Sequence, residues 1–259
     1  MIDYVVLGVI QGLTEFLPIS SSAHLVLAER LLGMYSPGVL FEASLHLGTL
    51  AAILVWFRSD IAELLHALTR QGSIERRKEI GLLVLATVPI LVVGLLLRGE
   101  VDALFSSLWI VSIGLLASGS ILLATARRRA SRRAPRALDA VAIGLAQAAS
   151  ILPGVSRSGT TMGVGILAGV APDRAARFSF LLAIPAIAGA GIVSVWDAVK
   201  GGTAAASNVG GILVGTLVAF LVGLAAIRFL LAVVARGRLW IFALYCLALG
   251  TAVLLWQVL

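Results

Sequence analysis

Apolar residues in this chain are gathered into long runs separated by short polar stretches. A helix needs about 20 apolar residues to cross a hydrocarbon core of about 30 Å. Runs of that kind predict full spans near residues 39–57, 80–97, 107–126, 174–195, 209–231 and 239–258. Two further apolar stretches, 1–33 and 138–170, are each cut by a polar, proline-marked segment, Leu17 to His24 and Leu152 to Thr161. Each is expected to form a pair of half-helices instead of one span. The predicted fold class is therefore an all-α polytopic membrane protein, with about six full transmembrane helices and two re-entrant half-helix pairs.

Composition agrees with the pattern. Of 259 residues, 60% are hydrophobic and 13% charged, whereas soluble domains average about 25% charged. The net charge of +7 raises the question of a nucleic-acid partner, and the placement of the charges argues against one. Arg58, Arg70, Arg76, Arg77 and Lys78 share one loop, and Arg127, Arg128, Arg129, Arg132, Arg133 and Arg136 another. Arg174 and Arg177 border a third turn, and Arg228, Arg236 and Arg238 a fourth. With alternating spans, these regions fall on one side, leaving Arg30, Arg98 and Lys200 near the other and Arg157 at membrane depth. Lys and Arg beside spans resist translocation, so the first group is expected to be cytoplasmic and both termini to face outward. The first segment has no basic region or small-residue cleavage site and is expected to be retained. The single cysteine, Cys246, allows neither an internal disulfide nor a thiolate cluster.

The Arg-rich linker divides two halves of like layout, a broken segment followed by three spans. At one common offset Gly8 matches Gly144, Gln11 matches Gln147, Ser20 matches Ser156 and Ser22 matches Ser158, while Pro18 and Pro153 are out of register by one. The expected organisation is a first repeat at 1–126, a basic cytoplasmic linker at 127–137 and a second repeat at 138–259. An odd number of spans per repeat inverts the second copy, an arrangement that places a site near the bilayer midplane.

The chemistry concentrates in the two interruptions. In the first, Gln11 and Glu15 lie four apart on one helical face. An acidic residue at membrane depth costs about 2.5–3.5 kcal/mol on translocon scales, so it marks a functional cavity or a charged partner; a Glu at a helix end reaching interfacial water is the plain alternative. Ser20, Ser21 and Ser22 follow Pro18 at the start of the next half-helix, where an ordinary N-cap and an anion site look alike. The second interruption separates these readings. Arg157 is a permanent cation among Gly154, Ser156, Ser158, Gly159, Thr160 and Thr161. Guanidinium matches phosphate oxygens in a bidentate fork, glycines admit close backbone approach, and the helix start offers free N–H groups. A structural ion pair with Glu15 is the competing account of Arg157.

Gln-x-x-x-Glu followed by Phe-Leu-Pro-x-Ser-Ser-x-x-His, and later Pro-Gly-x-Ser-Arg-Ser-x-x-Thr, resemble the two signature motifs of the bacterial undecaprenyl-diphosphate phosphatases. Phe41-Glu42 with Leu47-Gly48, and the run Phe178 to Pro185, extend the resemblance over the whole chain. It implies inverted re-entrant repeats in the inner membrane and removal of the terminal phosphate from the C55 lipid carrier, with a polyprenyl diphosphate as substrate and membrane lipids as surroundings. By position it makes Gln11 and Glu15 the acidic motif, Ser20, Ser21 and His24 catalytic candidates, and Ser156, Arg157, Ser158 and Thr161 the phosphate-binding loop. Two departures stand out. Ala23 occupies a position where the family usually has Gly, which excludes a positive φ there, and His46 stands where a Gln is expected. His46 shares a helical face with Glu42, a secondary candidate, and a packing contact is its simpler reading.

Under this resemblance Glu15 would hold a divalent cation, Mg²⁺ or Ca²⁺, with the substrate completing the shell. Ser21 is the favoured nucleophile with His24 as its base; water activated by His24 or Glu15 is the rival, and Ser20 is not distinguished from Ser21. A transporter or flippase of polyprenyl phosphate using the same midplane site is the alternative function. A homodimer is allowed by small-residue faces at Gly189, Gly191, Gly211 and Gly215.

Overall fold

A computed structural model describes residues 1–32, 39–97, 104–105, 107–127, 133–200 and 208–258. Arg98 and the linker residues Arg128, Arg129 and Arg132 lie outside this set. The described residues form eleven helices and no strand: α1 (Ile2–Thr14), α2 (Ser21–Leu32), α3 (Val39–Trp56), α4 (Arg58–Ala67), α5 (Ile74–Leu96), α6 (Leu108–Thr125), α7 (Ala137–Ala149), α8 (Arg157–Leu167), α9 (Pro172–Lys200), α10 (Val209–Ala235) and α11 (Trp240–Val258).

Five of these, α5, α6, α9, α10 and α11, are long and apolar enough to cross a membrane. A sixth candidate joins α3 to α4 through a 74° bend. The chain is a multi-pass α-helical membrane protein, as its hydropathy predicts. The bend corrects one expectation, because 58–67 is a helix and not part of a basic loop. At the bend Phe57 packs on Phe180 of the distant helix α9, with ring centroids 5.4 Å apart. Beyond it Ile61 and Leu64 keep one apolar side on the core, while Asp60 and Glu63 turn to the basic residues of the loops. Arg177 of α9 donates to Asp60 and to Glu79 of α5, each at 2.5 Å. Arg76 pairs with Glu79 at 2.7 Å and also with Glu63. The cations read as loop residues thus hold α4, α5 and α9 together at one end of the molecule.

The four helices α1, α2, α7 and α8 have 13, 12, 13 and 11 residues. At 1.5 Å per residue none reaches across about 30 Å of hydrocarbon. They pack inside a frame of longer helices. α1 lies on α10 and α3, α7 on α5, and α8 against α6, α7 and α9. The frame closes through α3 on α9 and α6 on α11. Glycine allows two close crossings of these short helices: a Cβ on Gly8 would stand 2.6 Å from the Gly215 carbonyl of α10, and one on Gly144 would stand 2.6 Å from the Ala86 carbonyl of α5. α1 and α7, one from each half of the chain, thus each touch the backbone of a long helix from the other half. Gly211 and Gly215, read as a dimer face, are covered within the chain by Tyr4 and by Phe41. A continuous core runs through both halves, including Phe16, Ile53, Leu122, Met162, Phe180, Leu230 and Cys246.

The two interruptions occupy 15–20 and 150–156. The second is anchored by Gly154, which has φ +89° and presses on the Val111 carbonyl of α6. Gly154→Ala should lose about 2–5 kcal/mol from the left-handed backbone and the clash together, read as a large fall in Tm of the purified protein in detergent.

Candidate active site

The first interruption begins at Glu15, which continues the helical backbone with φ −64°, and ends at Ser20, whose φ is 71°. Ser20 alone among the described non-glycine residues has a positive φ, a conformation costing of order 1–3 kcal/mol. That turn starts α2 at Ser21 and sends its side chain back toward Glu15. Ala23 is helical and fully buried beside Val111 and Leu115, so the residue before His24 needs no glycine; the positive φ lies three residues earlier.

Glu15 is 7% exposed and collects four neighbours. Arg157 Nη2 pairs with its Oε1. Gln11 Nε2 donates to Oε2 at 3.0 Å, and Ser21 Oγ donates to the same oxygen at 2.7 Å. His46 Nδ1 lies 3.6 Å from Oε2 and 3.0 Å from Gln11 Nε2. A buried charge is tolerable when paired and hydrogen-bonded, and this carboxylate is both. Arg157 is the first residue of α8, behind the N-cap Ser156, whose Oγ accepts from Gly159 N at 3.1 Å. The guanidinium that meets Glu15 is thus carried on the N-terminal residue of α8, the end of a helix that favours anions.

The interruptions also bind each other. Gly154 N donates to Ser22 Oγ at 3.4 Å, Ser158 Oγ donates to the Leu17 carbonyl at 3.2 Å, and Pro18 lies against Gly159. Ser118 of α6 accepts from Ser156 N at 2.8 Å, and Cys246 of α11 donates to the Pro18 carbonyl at 3.4 Å. These contacts supply partners for backbone groups that leave helical pairing inside a hydrophobic frame.

A cavity of about 750 Å³ opens beside the cluster. Its polar wall includes Glu15, Ser20, Ser21, Ser22, Ser156 and Arg157, with Glu42 and His46 from α3; its apolar wall includes Leu25, Val26, Ile90, Phe105, Ile151 and Ile187. Other predicted site residues stand behind this surface. Gln11 is fully buried and works through Glu15. Thr161 bonds to Ser179 Oγ at 2.5 Å and to the Arg157 carbonyl at 2.7 Å. Ser158 is spent on Leu17. His24 is not brought to Ser21: its Nδ1 meets the Ser20 carbonyl at 2.7 Å, its Nε2 meets the Tyr245 hydroxyl at 2.7 Å, and the two rings stack. The hydrogen-bond partner of Ser21 is Glu15.

Sequence reading missed Ser118, Ser179 and Tyr245, and treated His46 as a packing residue. Ser118 and Ser179 are hydroxyls inside apolar runs, a detectable signal; Tyr245 had none. Gln147, the counterpart of Gln11, is fully buried with neither amide atom bonded within the described residues, and Ile151 stands where the first half has Glu15.

Residues 4–252 match the family model described as bacitracin resistance protein BacA. The chain is 43% identical to a protein of Syntrophotalea carbinolica named undecaprenyl-diphosphatase, over 95% of both chains. It is 42% identical to one of the same name from Desulfosudis oleivorans, covering 98% of this chain and 97% of the other. A further protein of that name, from Methanobrevibacter smithii, is 39% identical over 98% and 96%. With nearly its whole length matched, this chain belongs to the bacitracin resistance protein BacA family.

Proposed function

We propose that this chain hydrolyses undecaprenyl diphosphate to undecaprenyl phosphate and inorganic phosphate, recycling the lipid carrier of cell-wall synthesis. The observation that carries the reading is Ser21 donating to a carboxylate whose other oxygen is paired with Arg157. A nucleophile, a proton acceptor and a phosphate-binding cation share one cavity wall, beside an apolar wall suited to a polyprenyl tail. Transport of the lipid phosphate, the alternative drawn from topology, finds no support among the relatives, which are named for hydrolysis.

Ser21 Oγ attacks the terminal phosphorus as the bond from that phosphorus to the bridging oxygen breaks. Its proton passes to Glu15 Oε2 and on to the departing lipid phosphate. Water then attacks the phosphoserine, and one of its protons returns through Glu15 to Ser21 Oγ as inorganic phosphate leaves. A carboxylate held by Arg157 is a weak base, and phosphoryl transfer tolerates one because its loose transition state develops little bond to the nucleophile before the leaving group departs. Arg157 and the first amides of α8 neutralise the phosphoryl oxygens. His24 holds the Ser20 carbonyl and thereby the turn that aims Ser21.

A divalent cation, Mg²⁺ or Ca²⁺, fits the hard oxygen donors of the wall. Glu15 keeps lone pairs beyond those used by Arg157, Gln11 and Ser21, and Glu42 lines the same cavity. Among the described residues no three His, Cys, Asp or Glu side chains could together hold a metal, so such an ion would also need oxygens of the substrate or water. Held there by Glu15, it would supply charge withdrawal from the phosphoryl oxygens. The inverted repeat is supported by the reciprocal crossings at Gly8 and Gly144. The positive-inside rule supports an inner-membrane location with the Arg76 and Arg177 end cytoplasmic and the cavity opening outward.

Phosphate release from a long-chain prenyl diphosphate by purified protein tests the reading. Wild type should turn over and stop with EDTA, and Glu15→Ala and Arg157→Ala should each lose at least about 100-fold; a wild type that releases no phosphate would overturn it. Rapid quench with a substrate labelled in the terminal phosphate should trap the label on Ser21, and full activity of Ser21→Ala would establish direct attack by water. His24→Gln should lose less activity than Ser21→Ala, whereas an equal loss would return the base role to His24.

A further inference from the structure

His46 does more than pack α3. The Gln11 amide nitrogen faces two groups at once, Glu15 Oε2 at 3.0 Å and His46 Nδ1 at 3.0 Å. The carboxylate accepts only, so the group turned toward it must be the NH₂ end of the amide. That nitrogen carries two hydrogens, one for each neighbour. His46 Nδ1 is then an acceptor, since a hydrogen on it would oppose the amide N–H, and the ring proton resides on Nε2. The side chain is 37% exposed and lines the cavity shared by Ser21 and Arg157. With Nδ1 committed to the protein, Nε2–H is the part of the ring left for a ligand.

We propose that His46 is a substrate-binding residue whose Nε2–H donates a hydrogen bond to a phosphoryl oxygen of the bound diphosphate, with Gln11 fixing the tautomer that makes this donor available. The proposal rests on the phosphatase reading for the identity of the ligand. Its logic is electrostatic as well as geometric. The donors already on Glu15, namely Arg157, Gln11 and Ser21, are turned toward that carboxylate, so a further N–H on the same cavity wall gives a phosphoryl oxygen a partner of its own. Gln11 therefore serves both sides of the cluster: one N–H holds the carboxylate beside Ser21, and the other orients the imidazole toward the substrate.

Two amide substitutions separate contact from positioning. Gln at this position places its amide nitrogen near the site of the imidazole Nε2, whereas Asn places its polar atoms near Nδ1 and leaves no donor at the Nε2 site. Binding is measured with a prenyl methylenediphosphonate, a diphosphate analogue that is not hydrolysed. His46→Asn should weaken its Kd by about tenfold, the scale of one hydrogen bond to a charged oxygen, while His46→Gln stays within about threefold of wild type. Wild-type affinity in His46→Asn, or an equal loss in His46→Gln, overturns the proposal. ¹⁵N spectra of wild-type protein labelled at its three histidines give an independent reading: His46 should be protonated at Nε2 and not Nδ1, with the Nε2 signal shifting when the analogue binds. The opposite tautomer, or an Nε2 signal unmoved by the analogue, also overturns it, and these spectra decide if either variant fails to fold. Because the analogue is not turned over, a protein that binds it with this ranking yet releases no phosphate would refute the hydrolase reading and leave His46 in place.

Discussion

The ion pair between Glu15 and Arg157 is the interaction on which the site depends. Separately, each charge would be costly within an apolar frame, and removing one partner of such a pair leaves the other uncompensated. Together they join the end of α1 to the start of α8, two helices from opposite halves of the chain. The pair also explains why the carboxylate needs its surroundings. Gln11 and Ser21 occupy the oxygen that Arg157 leaves open, so the charge is distributed over three donors before any ligand arrives.

Holding that pair requires two segments of non-helical backbone inside the helical frame, and the frame provides the partners. Ser118 and Cys246, from spans that carry no catalytic group, bond to Ser156 N and the Pro18 carbonyl, and the interruptions complete each other through Ser22 and Ser158. One consequence is a division among hydroxyls that look equivalent in sequence. Ser158, Thr160 and Thr161 satisfy carbonyls or other hydroxyls, while Ser21 bonds to the carboxylate on the cavity wall. The strained φ of Ser20 is held by the same logic, since His24 and Tyr245 fasten its carbonyl from behind.

The two halves share a layout and differ in chemistry. Gly8 and Gly144 make corresponding close crossings, and Gln11 and Gln147 are both buried. The acidic residue follows only the first glutamine, and the arginine follows only the second proline. A duplicated scaffold with one carboxylate and one guanidinium yields a single mixed site, because each half supplies the charge that the other lacks.

Sequence alone determined the membrane class, the positions of five long spans and the two interruptions, because hydrocarbon thickness and the rarity of buried charge act on composition and spacing directly. It also singled out Glu15, Arg157 and the serines at 20 and 21 as candidates, because such chemistry is unusual in apolar surroundings, without separating Ser21 from Ser20. It did not reveal the bend at Phe57, which depends on the Phe180 ring from a distant helix, nor the part played by His46, which depends on which nitrogen faces Gln11. The pairing of His24 with Tyr245 and of Ser21 with Glu15 was likewise decided in three dimensions. Residues three apart on a helix, as Ser21 and His24 are, are brought near each other by spacing, but a turn with positive φ and a tyrosine from the last span direct them to different partners.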